Sequence, residues 1–287
     1  MTTNLITRDE VVERSGALPS FPRIVIDILA TLDDSEANLK VLVDHIQHDP
    51  VIAARVLSRA NAAAVRTQRR SSICDIFTAA SLIGAGSVRE IALISSIGGF
   101  ADNISHTTGM AATYWSHSVA VGVCSQELAL HTTGSVSLDA TLIAGLLHDI
   151  GQLWLSRFKA DAFGAIWEPE ISFGVGIEAV EREQFGVDHS TIGAWLAEHW
   201  LLPAPLVTAI KHHHAPDTAL TEPLAPLVHV AEVLCNALDL AGQDKNRVTS
   251  ISNAACNALG LVWGESERVL FGRMEARSRH ANATFGV

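Results

Sequence analysis

The doublet His148-Asp149 sits inside an apolar run, with Leu146 and Leu147 ahead of it and Ile150 and Leu153 behind. An unpartnered charge is costly to bury, so a fold that takes this run into its core must bring other polar groups to the same place. His189 and the run His212-His213-His214 offer them. Neighbouring positions on a helix diverge by about 100°. An ion lying between the two directions can take an imidazole nitrogen from His148 and a carboxylate oxygen from Asp149. That donor mixture suits Mn²⁺, Fe²⁺, Zn²⁺ or Ni²⁺. The plainer alternative is a hydrogen-bonded pair with no ion.

Composition narrows the fold class. Hydrophobic residues make up 48% of the chain but aromatics only 6%, and the apolar positions recur at helical rather than alternating spacing, so the expected class is all-α. The 287 residues can fill one large domain or two ordinary ones. Cys74, Cys124, Cys235 and Cys256 are scattered, without a Cys-x-x-Cys pair, and read as reduced core residues. The first residues lack a signal pattern, and no uncharged apolar run approaches the roughly 18 residues that cross a bilayer. A cytoplasmic protein with no membrane partner is expected.

A net charge of −11 argues against nucleic acid as a partner, because phosphate neutralisation needs clustered Lys and Arg. The local cluster Arg55, Arg59, Arg66, Arg69 and Arg70 reads as a solvated helix face or as a contact for a phosphate or an acidic partner. Nucleophilic-triad chemistry and a phosphate-cradling glycine loop find no support.

Along the chain, Leu18-Pro19-Ser20-Phe21-Pro22 opens a helix through Ile24 and Ile28, and Asp49-Pro50 caps and starts another. Helical runs follow around 76–83 and 88–97. The softer stretch from Gly98-Gly99-Phe100 to Thr107-Thr108-Gly109 is the expected boundary. Beyond it, helices are predicted over 114–131, 139–158, 177–184, 189–200, 205–214 and 223–240, with two more closing the chain.

Two consecutive blocks of this sequence resemble a known family. Leu18-Pro-Ser-Phe-Pro22, Ile46-Gln-His-Asp-Pro50, Ala60-Asn61 and Ala80-Ser-Leu-Ile-Gly84 resemble the N-terminal half of HDOD domains. His117, His148-Asp149-Ile150-Gly151, Asp188-His189 with Gly193, Trp200-Leu-Leu-Pro203 and Ile210-Lys-His-His-His214 resemble the HD half of the same domain. The resemblance implies an N-terminal helical bundle, residues 1–105, packed on an HD-type helical domain with C-terminal helices, residues 106–287. HDOD domains are relatives of HD-type metal-dependent phosphohydrolases that serve as modules in bacterial signalling. The implied function is therefore a signal-transduction module that keeps a divalent-metal site and hydrolyses weakly or not at all. The alternative is an active phosphohydrolase on a phosphomonoester or phosphodiester. Signalling proteins, or an upstream sensory or receiver domain, are the implied partners, with a phosphorylated small molecule as candidate ligand.

By resemblance to the HD-GYP phosphodiesterases, the metal ligands are His117, His148, Asp149, His189, His213 and His214, with Glu232 where an Asp is usual. They imply one or two ions of Fe, Mn, Ni or Zn, Asp149 bridging if there are two. Asp149 and Gln152 occupy the catalytic positions. Gln152 stands where those enzymes carry a phosphate-holding Lys, and a neutral amide supplies no charge against an anionic transition state. Thr113 stands where two-metal members often carry an acid, and Ala215-Pro-Asp-Thr lacks the Gly-Tyr-Pro element.

Each position has a plainer reading. His117 fits a buried hydrogen-bonded histidine, and His189 follows Asp188 at a helix start, where Asp188 can serve as cap. Neighbouring helical positions diverge, so all of His212, His213 and His214 cannot face one ion; His212 is left out. Glu232 is either a ligand or the partner of His229, one turn away. Trp195 and Trp200 are expected to pack beside the site.

Overall fold

Short polar side chains mark where the chain turns into helix. Thr7, Asp75, Ser137, Asp188 and Ser252 each accept a hydrogen bond from the backbone N–H three residues on, which satisfies donors that a first helical turn leaves open. Asp49 does the same for Val51 and Ile52, at 2.9 and 3.1 Å, ahead of Pro50. These caps belong to a computed structural model that describes residues 5–30, 42–44, 46–47, 49–66, 73–105, 113–166, 176–241, 250–264 and 267–285. All of the regular structure among the described residues is helical. No single helix there is long and apolar enough to cross a membrane.

The chain divides into two compact units, residues 21–100 and residues 1–20 with 101–287. Helix α1 (Arg8–Ser15) belongs to the second of these, through a backbone bond from Ile6 to the Phe185 carbonyl at 2.9 Å and an Arg8–Glu198 ion pair at 3.0 Å.

In the smaller unit, α2 (Arg23–Leu29), α3 (Pro50–Arg66) and α4 (Ile76–Ile83) lead into α5 (Ala85–Ser105). Val25, Ile28, Ile46, Ile52, Val56, Leu93 and Ile97 are buried. Asn61 fastens the approach to α4, accepting from the Ile73 N–H at 2.8 Å and donating to the Ile73 carbonyl at 2.9 Å. Gly98–Phe100, expected in a soft boundary, lie within α5. Residues 107–109 of that stretch, and Arg69 and Arg70, lie outside the described residues.

The larger unit continues with α6 (Thr113–Ala129), α7 (Leu138–Leu147), α8 (Ile150–Phe158), α9 (Ala160–Ile166), α10 (Ile177–Phe185), α11 (His189–His199) and α12 (Ala204–His212). A 3-10 turn (Pro216–Thr218) precedes α13 (Leu224–Ala237), α14 (Asn253–Leu259) and α15 (Glu267–Phe285). Helix α6 packs on α7, α13 and α15, while α11 packs on α1, α8 and α12.

Glycines set both approaches that matter. A Cβ at Gly145 would lie 2.4 Å from the Gly122 Cα, so α6 and α7 touch backbone to backbone. A Cβ at Gly151 would lie 1.9 Å from the His189 carbonyl oxygen, so α8 meets the start of α11 in the same way. The single helix expected over 139–158 is thus broken. His148 caps α7, Asp149 takes φ −96° and ψ 12°, and α8 starts at Ile150. On either side of the break, α7 lies on α6 and α8 on α11.

Trp195 and Trp200 pack against an apolar cluster that includes Ile6, Val11, Trp154, Leu155 and Phe185.

Candidate metal centre

Five parts of the larger unit deliver polar side chains to one buried place. His117 comes from α6, His148 and Asp149 from the α7–α8 break, His189 from the first turn of α11, His213 and His214 from the end of α12, and Glu232 from α13. The two glycine contacts flank this place: Gly122–Gly145 brings α6 against the end of α7, and Gly151 seats α8 on the His189 backbone. Every residue expected from the sequence to ligate an ion is here. They fall into two groups, Asp149 with His189, His213 and His214, and His117 with His148 and Glu232, each with donor atoms within 4.8 Å of one another.

Asp149 stands between the groups. Its Oδ1 lies 3.1 Å from His189 Nε2 and 3.8 Å from His213 Nε2, and its Oδ2 lies 3.2 Å from His148 Nε2 and 3.9 Å from His117 Nε2.

Hydrogen bonds on the far side of the rings fix which nitrogen faces inward. His148 Nδ1 donates to the Gly145 carbonyl at 2.7 Å, and His213 Nδ1 to the Ile210 carbonyl at 2.7 Å. A carbonyl oxygen can only accept, so Nδ1 carries the proton and Nε2 is left for the centre. His189 is held more firmly. Its Nδ1 meets Glu181 Oε2 at 2.6 Å, and its backbone N–H donates to the same oxygen at 2.7 Å. Carboxylate–histidine pairs of this kind orient metal-binding imidazoles and raise their basicity.

The inward atoms crowd without enough protons to share. His189 Nε2 lies 3.0 Å from His214 Nε2 and 3.4 Å from His213 Nε2. His117 Nδ1, His148 Nε2 and Asp149 Oδ1 are buried with no well-directed hydrogen-bond partner among the described residues. Leaving such groups unsatisfied costs about 1–3 kcal/mol each, and a cation removes that cost at once. The set of imidazoles and carboxylates therefore fits a divalent transition metal.

Electrostatics in the protein alone sort the rings into two kinds. Burial holds His117 down to about 4, with the nearby His148 charge adding to it, and holds His214 down to about 3 with help from His189. Burial and His214 also keep His213 well below its usual value. For His189, burial is outweighed by Glu181 and Asp149, which lift it well above the usual range. His148 is raised in the same sense by Asp149. Burial would raise Asp149, but His148 and His189 overcome it and hold the carboxyl well below the usual range. Burial pushes Glu232 up to about 7.

The neighbours of the centre show where the alternative partners named from the sequence lie. His229 does not pair with Glu232: its Nδ1 donates to the His213 carbonyl at 2.8 Å, and its Nε2 accepts from the Ser252 N–H at 3.1 Å. Glu232 instead lies 4.0 Å from His214 Nδ1. Asp188 does cap α11, accepting from the Thr191 N–H at 2.8 Å, while Arg182 contacts its other oxygen. His212 turns away to Thr218 Oγ1 at 2.7 Å. Gln152 is buried in the first turn of α8, its N–H bonded to the Asp149 carbonyl at 2.8 Å.

Glu181 was not among the expected site residues. The signal for it is a carboxylate on the stripe Ile177–Glu181–Phe185, whose members are the buried residues of α10.

The family model of the HDOD domain matches residues 18–216. An uncharacterised protein of Treponema pallidum (strain Nichols) is 23% identical over 231 residues, which cover 80% of this chain but 44% of that relative. The chain thus spans less than half the length of the relative it matches. Among solved structures, an HDOD domain protein of unknown function from Geobacter sulfurreducens aligns with a TM-score of 0.72 at 21% identity, over 97% of both chains. A provisionally named signal transduction protein from Marinobacter aquaeolei VT8 aligns with a TM-score of 0.75 at 21% identity, over 99% of this chain and 67% of its own. A provisionally named phosphohydrolase from Shewanella amazonensis SB2B aligns with a TM-score of 0.63 at 20% identity, over 96% of this chain and 95% of its own.

Proposed function

The chain belongs to the HDOD domain family, and from that premise we propose that it is a bacterial signal-transduction module whose HD half holds a divalent-metal centre with weak or no hydrolytic activity. The observation that carries this reading is the placement of Asp149, with Oδ1 turned to His189 and His213 and Oδ2 to His148 and His117. One ion is served by Asp149, His189, His213 and His214; a second would take His117, His148 and Glu232. Asp149 would serve both if two ions bind. Fe, Mn, Ni and Zn all suit the donors.

When bound, such an ion supplies Lewis acidity and lowers the pKa of a bound water. What the chain supplies for phosphate beside Asp149 is a neutral amide, Gln152, which favours weak turnover over efficient catalysis. The role we assign to the centre is to tie α6, α7, α11, α12 and α13 together, so that metal binding is folding free energy. Its outputs are contacts with signalling proteins or with an upstream sensory or receiver domain in the cytoplasm, and its candidate small ligand is phosphorylated.

A second reading, an active phosphohydrolase on a monoester or diester, draws support from the completeness of the donor set. One preparation tests both. The protein is purified without chelator or affinity nickel, beside Asp149→Ala, and both are analysed for metal and assayed on generic phosphomonoesters and phosphodiesters. The expected result is about one or two ions per chain in the parent, few or none in the variant, and little turnover. Turnover that vanishes in Asp149→Ala transfers the conclusion to the enzyme reading. Absence of metal from both proteins, even after reconstitution with Mn²⁺ or Fe²⁺, rejects the metal centre.

A further inference from the structure

Tyr114 is the single tyrosine of the chain. It lies on α6 one turn before His117 and is 7% exposed. Its phenolic oxygen is buried and has no well-directed hydrogen-bond partner among the described residues. Ser118, one turn further on, spends its hydroxyl proton on the Tyr114 carbonyl at 3.1 Å. A buried tyrosine hydroxyl normally finds a partner, and leaving it without one costs about 1–3 kcal/mol. Residues three apart on a helix share a face, so Tyr114 stands on the side of α6 that carries His117 to within 3.9 Å of Asp149 Oδ2. Burial, and then the charge of Asp149, push the phenol well above its usual range against a smaller opposing effect of the nearby Ser118 hydroxyl, so it stays a neutral O–H donor.

A protonated, buried hydroxyl with no well-directed partner among the described residues, on the face of α6 that leads to the His–Asp centre, is a donor available to a ligand held there. The partner it fits is an oxyanion held at the centre. We propose that the Tyr114 hydroxyl donates a hydrogen bond to a phosphate oxygen of the ligand at the His–Asp centre, as a positioning group beside the uncharged Gln152. The inference rests on the metal-centre reading and deepens it to a ligand class, phosphate and its esters.

The lone tyrosine makes the test selective. The full chain is labelled with ¹³Cζ-tyrosine, loaded with diamagnetic Zn²⁺, and titrated with inorganic phosphate. The expected result is a single resonance that shifts saturably. Tyr114→Phe, which removes only the oxygen, should keep its metal content and bind phosphate roughly tenfold to a hundredfold more weakly, the loss of one hydrogen bond to a charged group. Phosphate that binds to the loaded protein without moving the resonance, or that binds the Phe variant equally well, overturns the proposal. So does a loaded protein that takes no phosphate. Failure of the parent to take up Zn²⁺ is a different outcome and rejects the metal centre itself.

Discussion

Glu181 holds the most constrained imidazole of the centre, yet among the described residues it bonds to no other member of it. One of its oxygens accepts both the ring and the backbone N–H of His189, at 2.6 and 2.7 Å, and the residue is fully buried. Glu181→Gln keeps the shape but loses the charge that favours the Nδ1–H tautomer. Its expected effect is a folded protein with roughly 10–100-fold weaker metal affinity, read by competition with a chromophoric chelator. Glu181→Ala should in addition lower stability by about 1–3 kcal/mol for each orphaned N–H, read by urea unfolding. Unchanged affinity in both variants would show that Glu181 does not orient the ligand. The clustered His and Asp side chains are legible in the sequence because such residues inside apolar runs demand an explanation. Glu181 is not, because Glu178, Arg182 and Glu183 around it make α10 look like a solvated helix. Tyr114 carries no such signal for the opposite reason, since an aromatic in an apolar helix passes for core.

At the scale of elements, the site depends on where backbones touch. The sequence showed helices almost everywhere the structure has them, since apolar periodicity and caps such as Asp49-Pro50 and Asp188 are local signals. It did not show the break at His148-Asp149, because apolar spacing runs on through it and the contact that seats α8, Gly151 on the His189 backbone, is made with a residue distant in the chain. The conformation of Asp149, φ −96° and ψ 12°, falls in the sparsely populated bridge region, which apolar spacing does not reveal. Two glycine substitutions separate contact from conformational freedom. Gly151→Ala would put a Cβ 1.9 Å from the His189 carbonyl oxygen, a backbone atom that cannot rotate away. We expect it to cost at least about 1–3 kcal/mol and to displace His189 enough to lose metal. Gly99, inside α5 and exposed, has nothing within 4 Å of an added Cβ. Gly99→Ala should therefore raise stability by about 0.5–1 kcal/mol. Urea midpoints of the two variants should move in opposite directions, and equal losses would sink the packing argument.

For the whole molecule, the centre links stability to metal and to acid. An ion that binds only the folded chain adds RT ln(1 + [L]/Kd), about 4 kcal/mol at a thousandfold excess over Kd, so chelation should lower Tm at pH 7. Without metal, His117 at about 4, His214 at about 3 and His213 well below its usual value stay neutral when folded. The unfolded chain protonates them near 6.5. It therefore binds more protons as pH falls from about 6.5 toward 4, and stability drops through that window. Glu232, raised to about 7, works against this with a single proton taken up by the folded form. His148 and His189, both raised, contribute fully below 6.5 and lose their contribution only as pH rises through their folded values. The histidines held neutral outnumber Glu232, so the metal-free protein should melt progressively lower on acidification from pH 6.5 to 4. Metal ligation also requires His148 and His189 to give up the protons that their raised values hold on them, a competition that strengthens as pH falls. The gap in Tm between loaded and metal-free protein should accordingly be widest near pH 7 and close toward pH 4. Calorimetry of both forms across this range measures it. A gap absent at pH 7 would mean that no ion ties these helices together; a gap that persists unchanged at pH 4 would mean that the ion is held by groups other than these histidines.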